Sequence, residues 1–257
     1  MSDVYDVIVL GIGGMGSATA YNLARRGQRV LGLERFDIPH AMGSSHGVNR
    51  IIRLAYFEDP SYVPLLRRAY QAWREVEARF GEQLLVITGS IDAGPPGSRM
   101  VEGSQEACRE HDIPHEVLTG RELAARFPGY QLPATHMAVL QADGGFVVSE
   151  RAVVAHATLA QHEGATIRAR EKVLGWEPTA GGGVRVRTER GSYEAGRLVV
   201  SAGAWVSDFV PSLREDAVPE RQVLGWFQPR TPDLFTPERF PVFNMIVDEG
   251  QFYGFPV

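Results

Sequence analysis

Gly11, Gly13 and Gly16 form a G-x-G-x-x-G run whose chemistry would be the holding of a diphosphate. Gly11 lets the chain turn tightly, Gly13 leaves room for a phosphate against the backbone, and Gly16 lets a helix pack closely on a strand. Gly14 and Met15 lie at the expected helix start, where free N–H groups and the positive end of the helix dipole favour an anion. Glu34 ends the next apolar stretch, where a carboxylate can accept from both ribose hydroxyls and would repel a 2′-phosphate. The motif alone does not choose FAD from NAD, and its bland alternative is a tight turn with a surface Glu34. Residues 35–57 are rich in Gly, Ser, His and Arg and lack a period, as a binding loop does. Within them His46 could shape the protonation state of an amine. Arg50 and Arg53 flank Ile51 and Ile52, so at least one is expected to face inward. The plain alternatives are a loop histidine satisfied by backbone and a solvated basic face.

The elements that must position these residues follow from periodicity. Val4 to Leu10 is almost wholly apolar, as a strand buried on both faces is. A helix over Met15 to Arg26, stopped by Gly27, and a strand over Gln28 to Glu34 complete a βαβ unit. Pro64 opens a helix with an apolar face at Leu66, Ala69, Trp73, Val76 and Phe80, ended by Gly81. Leu84–Ala93 reads as one strand and Ser98–His111 as a helix. Thr119 and Glu122 can form a capping box for a helix ending near Phe127. Met137–Ala142 reads as a strand, and Ser149 as the cap of a helix to Glu163. Strands are then expected over Ala165–Arg170, Lys172–Glu177, Val184–Thr188, Ser192–Ala195 and Leu198–Val200, with a short helix after Gly203. Further strands are expected over Val218–Gln228, Pro241–Val247 and Gln251–Val257. On that apolar ending, a truncated sequence is expected.

Composition narrows the partners. The 257 residues carry a net charge of −5, which leaves no basic surplus for nucleic acid. Cys108 is the single cysteine, so no internal disulfide can form, and it reads as a bystander. Asp3 and Asp6 stand where a leader would be basic, and no run is long enough to span a bilayer. A cytoplasmic monomer without membrane or nucleic-acid contact is expected. No set of His, Cys and Asp has metal-ligand spacing.

Several runs together resemble one family. They are the glycine turn, Gly43-Ser44-x-His46-Gly47, Arg50-Ile51-Ile52-Arg53, Tyr62-Val63-Pro64-Leu65 and the stretch from Asp143 to Glu150. Leu198 to Trp205, Arg221-Gln222-Val223 and Tyr253-Gly254-Phe255-Pro256 continue the match. In order and spacing they resemble the FAD-dependent monomeric sarcosine oxidase and N-methyl-L-tryptophan oxidase family of the D-amino-acid oxidase superfamily. The resemblance implies an α/β fold: a Rossmann-like FAD-binding βαβ domain with an interleaved, mostly antiparallel β-sheet substrate domain. The expected division is 1–80 and 143–215 for FAD, 81–142 and 216–257 for substrate. It implies oxidation of a secondary amine to an imine, with oxygen reduced to hydrogen peroxide. Cofactor contacts are implied for Gly11, Gly13, Gly14, Met15, Gly16, Glu34, Arg35, Gly43, Ser44, Arg50, Val173, Ala202 and Gly203. His46 and Arg50 match residues beside the flavin ring, Arg53 the arginine that grips the substrate carboxylate, and Tyr253 an aromatic residue lining the pocket.

The chain departs from that family at Val48 and Asn49, where Asp-Thr is usual, and at Ser45, where His is frequent. It also stops before the family's linking cysteine, oxygen-activating lysine and second carboxylate-binding cation. If the 257 residues are the whole polypeptide, weak, noncovalent FAD binding and little or no turnover are expected. The alternatives are a D-amino-acid or glycine oxidase or dehydrogenase of the superfamily, a nicotinamide dehydrogenase sharing only the nucleotide unit, and a non-catalytic nucleotide-binding remnant. The strand-rich stretch over 165–200 disfavours the nicotinamide reading, since that fold would continue with βα repeats.

Overall fold

A computed structural model describes residues 4–257, so Asp3 lies outside the described residues. The chain divides into two compact units. The first comprises residues up to Asn49 together with Val148–Leu224, and the second Arg50–Val147 together with Gly225–Val257. The first and last cuts thus fall at 49/50 and 224/225, not at the 80/81 and 215/216 expected from sequence. The helix over Val63–Phe80 belongs with the second unit.

The first unit is built on a six-stranded sheet. Its centre is β1 (Val4–Leu10), which pairs in parallel with β2 (Val30–Leu33) on one side and with Ser192–Val200 on the other. β2 pairs in parallel with Thr166–Arg168. Beyond Ser192–Val200 the sheet turns into an antiparallel meander of Val184–Thr188 and Val173–Pro178. Helix α1 (Gly14–Ala24) joins β1 to β2 and packs against the helix over Ser149–His162. Ile8, Val9 and Leu31 are wholly buried. Apolar side chains on both sheet faces explain why these strands read as continuous apolar runs.

The second unit holds a five-stranded mixed sheet, ordered Gly250–Gly254, Val242–Val247, Ser90–Gly94, Met137–Gln141 and Glu116–Thr119. Only the Val242–Val247 and Ser90–Gly94 pair is parallel. A three-stranded sheet of Asn49–Ile52, Gly145–Val148 and Leu85–Ile87 falls mostly in this unit. The helix over Arg99–Glu110 covers the larger sheet, and the Thr119–Glu122 capping box is formed.

The differences from the sequence expectations have local causes. Leu84–Ala93 is two strands in different sheets, because Gly89 breaks the run at φ +80°. Ser192–Val200 is one strand, since β1 pairs with it from Glu194 to Val200. Asn49–Ile52, within the stretch expected as a loop, is a strand, and so is Gly145–Val148. Ser149 is the first residue of its helix and its buried hydroxyl finds no partner, so it is not the cap. Val218–Gln228 forms no strand, and Val223, Trp226 and Phe227 stand exposed. No helix among the described residues is long and apolar enough to cross a membrane.

His156 lies buried where its helix faces α1, with its ring 5.9 Å from that of Tyr21. Burial holds its pKa down at about 4, against an ordinary 6.5. The unfolded chain therefore takes up this proton first as pH falls. The stabilisation is complete above pH 6.5 and is lost as pH drops toward 4. We expect His156 to account for on the order of 3 kcal/mol of acid destabilisation. Thermal unfolding of the parent and of His156→Leu at neutral and mildly acid pH checks this; equal acid sensitivity in the two would rule the role out.

Candidate functional site

The glycine turn is shaped by backbone meeting backbone. Gly11 sits at φ +91°, and a Cβ there would stand 2.5 Å from the carbonyl oxygen of Ser201. At Gly16 a Cβ would fall inside the van der Waals surface of the Gly11 carbonyl oxygen. The Ser201 hydroxyl, 2.8 Å from the Gly11 carbonyl oxygen and 3.0 Å from that of Leu10, ties the turn to the neighbouring strand end. Gly13 is different: the nearest atom to an added Cβ is the Ser45 Oγ, at 3.5 Å. That open face lies at the start of α1, where a ligand can approach main chain.

A cleft of about 400 Å³ opens over this turn, wholly within the first unit. It is lined by Gly11, Gly13, Gly14, Met15, Glu34, Arg35, Gly43, Ser44, Val173, Ala202 and Gly203 among others. Gly16 supports the turn from below. Sequence reasoning had not singled out Phe36, His40 or Trp205 on the rim, where the rings of Phe36 and Trp205 stand 5.6 Å apart. A tryptophan directly after Ser201-Ala202-Gly203-Ala204 was the available signal.

Glu34 is buried, yet its carboxylate is fixed by main chain. Ile12 N–H donates to Oε2 at 2.8 Å and Phe36 N–H to Oε1 at 3.0 Å. His40 Nε2 lies 3.5 Å from Oε1. Each carboxylate oxygen can accept more than one hydrogen bond, so capacity remains for hydroxyl donors in the cleft. Ser45 Oγ accepts from Gly14 N–H at 3.0 Å and so caps the first turn of α1.

The loop beyond behaves differently. Val48 adopts φ +70°, unusual for a β-branched residue, and the Asn49 N–H closes on the Gly47 carbonyl at 2.9 Å. Gly47 N–H donates to Glu150 and Ser149 N–H to the Val48 carbonyl, which pins this strained turn to a helix start. His46 and Arg50 are half-buried, and neither lines the cleft.

Arg53 and Tyr253 belong to the second unit. Arg53 is buried; its Nε donates to Asp92 Oδ2 at 3.1 Å, and its guanidinium lies 4.4 Å from the centre of the Tyr56 ring. Glu58 stands 3.7 Å from Nη2. Tyr253 is register partner to Asn244, itself register partner to Asp92, so the three share one sheet face. The Cys108 thiol is buried, with its pKa pushed up to about 11, which leaves it protonated and unreactive.

The sequence model for FAD dependent oxidoreductases matches residues 6–257. The chain belongs to that family. It is 45% identical to monomeric sarcosine oxidase of Streptomyces avermitilis over 258 residues, covering 100% of this chain and 67% of that protein. Over 253 residues it is 34% identical to N-methyl-L-tryptophan oxidase of Yersinia pestis, covering 98% of this chain and 67% of that one. The open form of NikD, an unusual amino acid oxidase essential for nikkomycin biosynthesis, superposes with a TM-score of 0.79 at 29% identity, over 99% of this chain and 66% of NikD. The chain thus spans about two thirds of the length of these relatives. FAD is the family cofactor, and the cleft fits its ADP half. Gly13 leaves main chain open to a diphosphate, and Glu34 keeps acceptor capacity for ribose hydroxyls. Gly16→Ala is expected to abolish FAD binding, because the added methyl must displace the Gly11 carbonyl. Flavin fluorescence titration checks this, and affinity equal to the parent's would refute the close-packed turn.

Proposed function

We propose that the chain oxidises the secondary amine of an N-methylated amino acid, such as sarcosine or N-methyltryptophan, to the imine. The reading is carried by the 45% identity to monomeric sarcosine oxidase, which runs through both units. Bound FAD supplies the acceptor for two electrons. A C–H and an N–H bond of the amine break and a C=N bond forms. The two electrons and two protons end on oxygen as hydrogen peroxide, and water splits the imine to an aldehyde and an amine.

The chain's own residues bind and orient. Arg53 offers a planar fork of donors to the substrate carboxylate, and fixing the carboxylate fixes the C–H bond that must break. Tyr253, half-exposed on the sheet face shared with Asn244, gives an aromatic wall. His46 takes part in the proton balance of the amine, which must be neutral before it can yield a hydride. Arg50 contributes positive charge toward negative charge that develops during the reaction.

A second reading, oxidation of another amino acid such as glycine, is favoured by the likeness to NikD, an amino acid oxidase. Anaerobic mixing of the FAD-loaded chain with sarcosine separates the two. We expect slow loss of the visible flavin band with sarcosine, slow formation of peroxide on admitting oxygen, and at least a tenfold higher sarcosine requirement in Arg53→Gln. Bleaching by glycine and not by sarcosine would support the second reading. No bleaching by any amino acid would overturn both.

A further inference from the structure

Asp92 lies fully buried in the Ser90–Gly94 strand, and the proposed chemistry does not use it. A buried carboxylate is tolerated only when donors satisfy it. Here three converge from three parts of the second unit. Arg53 Nε donates to Oδ2 at 3.1 Å, Ser104 Oγ donates to Oδ2 at 2.7 Å, and Asn244 Nδ2 donates to Oδ1 at 2.9 Å. Ser104 comes from the covering helix and Asn244 from the adjacent strand, in register with Asp92. The carboxylate is thus anchored from beside and above, and among the described residues Arg53 is the one charged group that donates a hydrogen bond to it.

A guanidinium presents a carboxylate with two kinds of edge. One is the side edge, formed by Nε and one Nη; the other is the end edge, formed by both Nη atoms. Asp92 occupies the Nε–H, which removes the side edge from use. The Tyr56 ring, 4.4 Å from the guanidinium carbon, limits how far the group can turn. Together the two contacts favour one orientation that a long side chain would otherwise lose to rotamer freedom. Resting on the reading of Arg53 as the carboxylate-binding residue, we propose that Asp92 is a positioning residue. It turns Arg53 so that only the end edge meets the substrate carboxylate. The opposite charges of Arg53 and Asp92 offset each other, so the pair selects a carboxylate by the direction of its hydrogen bonds more than by net charge.

The test uses the full FAD-loaded chain and two ligands that share an amine, sarcosine with a carboxylate and dimethylamine without one. Calorimetry gives both affinities in the parent, Asp92→Ala, Asp92→Asn and Arg53→Gln. Side-chain nitrogen NMR follows the Nε–H of Arg53, assigned by its absence from Arg53→Gln. We expect Asp92→Ala to weaken sarcosine binding about tenfold, to leave dimethylamine unchanged, and to lose the slowly exchanging Nε–H signal. Asp92→Asn keeps an acceptor for Nε and is expected to restore both. If Asp92→Ala does not fold, Asn244→Ala removes one anchor of Asp92 without touching Arg53 and is expected to show the same selective loss of sarcosine. Equal weakening of both ligands, or unchanged sarcosine binding together with a lost Nε–H signal, would overturn the positioning role. A parent chain that ignores sarcosine, or Arg53→Gln binding it at parental strength, would instead sink the carboxylate reading. Loss of sarcosine in Arg53→Gln but not in the Asp92 variants would sink the positioning role alone.

Discussion

The close approach of Gly16 to the carbonyl of Gly11 is the constraint on which the nucleotide unit rests. It sets how far α1 can slide toward β1, and so where the first free N–H groups of the helix stand. It also fixes the height of Ile12, whose N–H holds one oxygen of Glu34. A turn opened by one methyl group would move both features together. The cleft, the carboxylate at its side and the strand end at Ser201 are therefore parts of one packing solution, reached because two side chains are missing.

The molecule uses buried carboxylates in two ways. Glu34 is gripped by main-chain N–H groups, which carry no net charge of their own, and it has spare acceptor capacity. Asp92 is met by an arginine, a serine and an asparagine, and it is consumed by them. The first arrangement presents a carboxylate to a ligand. The second turns a carboxylate into scaffold for a neighbouring cation. Burial alone does not tell them apart; the identity of the donors does.

What could be read from sequence was what is enforced locally. The glycine spacing, the Thr119–Glu122 capping box and the helix stops at Gly27 and Gly81 each depend on a few adjacent residues. The lining of the cleft by Glu34, Gly43, Ser44, Val173, Ala202 and Gly203 was legible through the family resemblance, since these positions lie far apart in the chain. Strand limits were less legible. Gly196 did not end the Ser192–Val200 strand, because parallel pairing with β1 outweighs the weak local preference of one glycine. Val218–Gln228 is apolar enough for a strand but pairs with nothing among the described residues. Asp92 had no signal at all: its partners lie 12, 39 and 152 residues away, and one acid in an apolar run reads as a solvent-facing position.

The Ser201 hydroxyl reaches across 190 residues to the Gly11 carbonyl. During synthesis from the N-terminus, the glycine turn emerges early but lacks its flanking strand until Ser192–Val200 has followed. Before then β1 presents one unpaired edge, and the turn has no lid against which Gly11 can settle. Cofactor loading is thereby placed after the meander and its return strand have left the ribosome. A motif that looks self-contained on paper is completed only by a strand end 190 residues downstream.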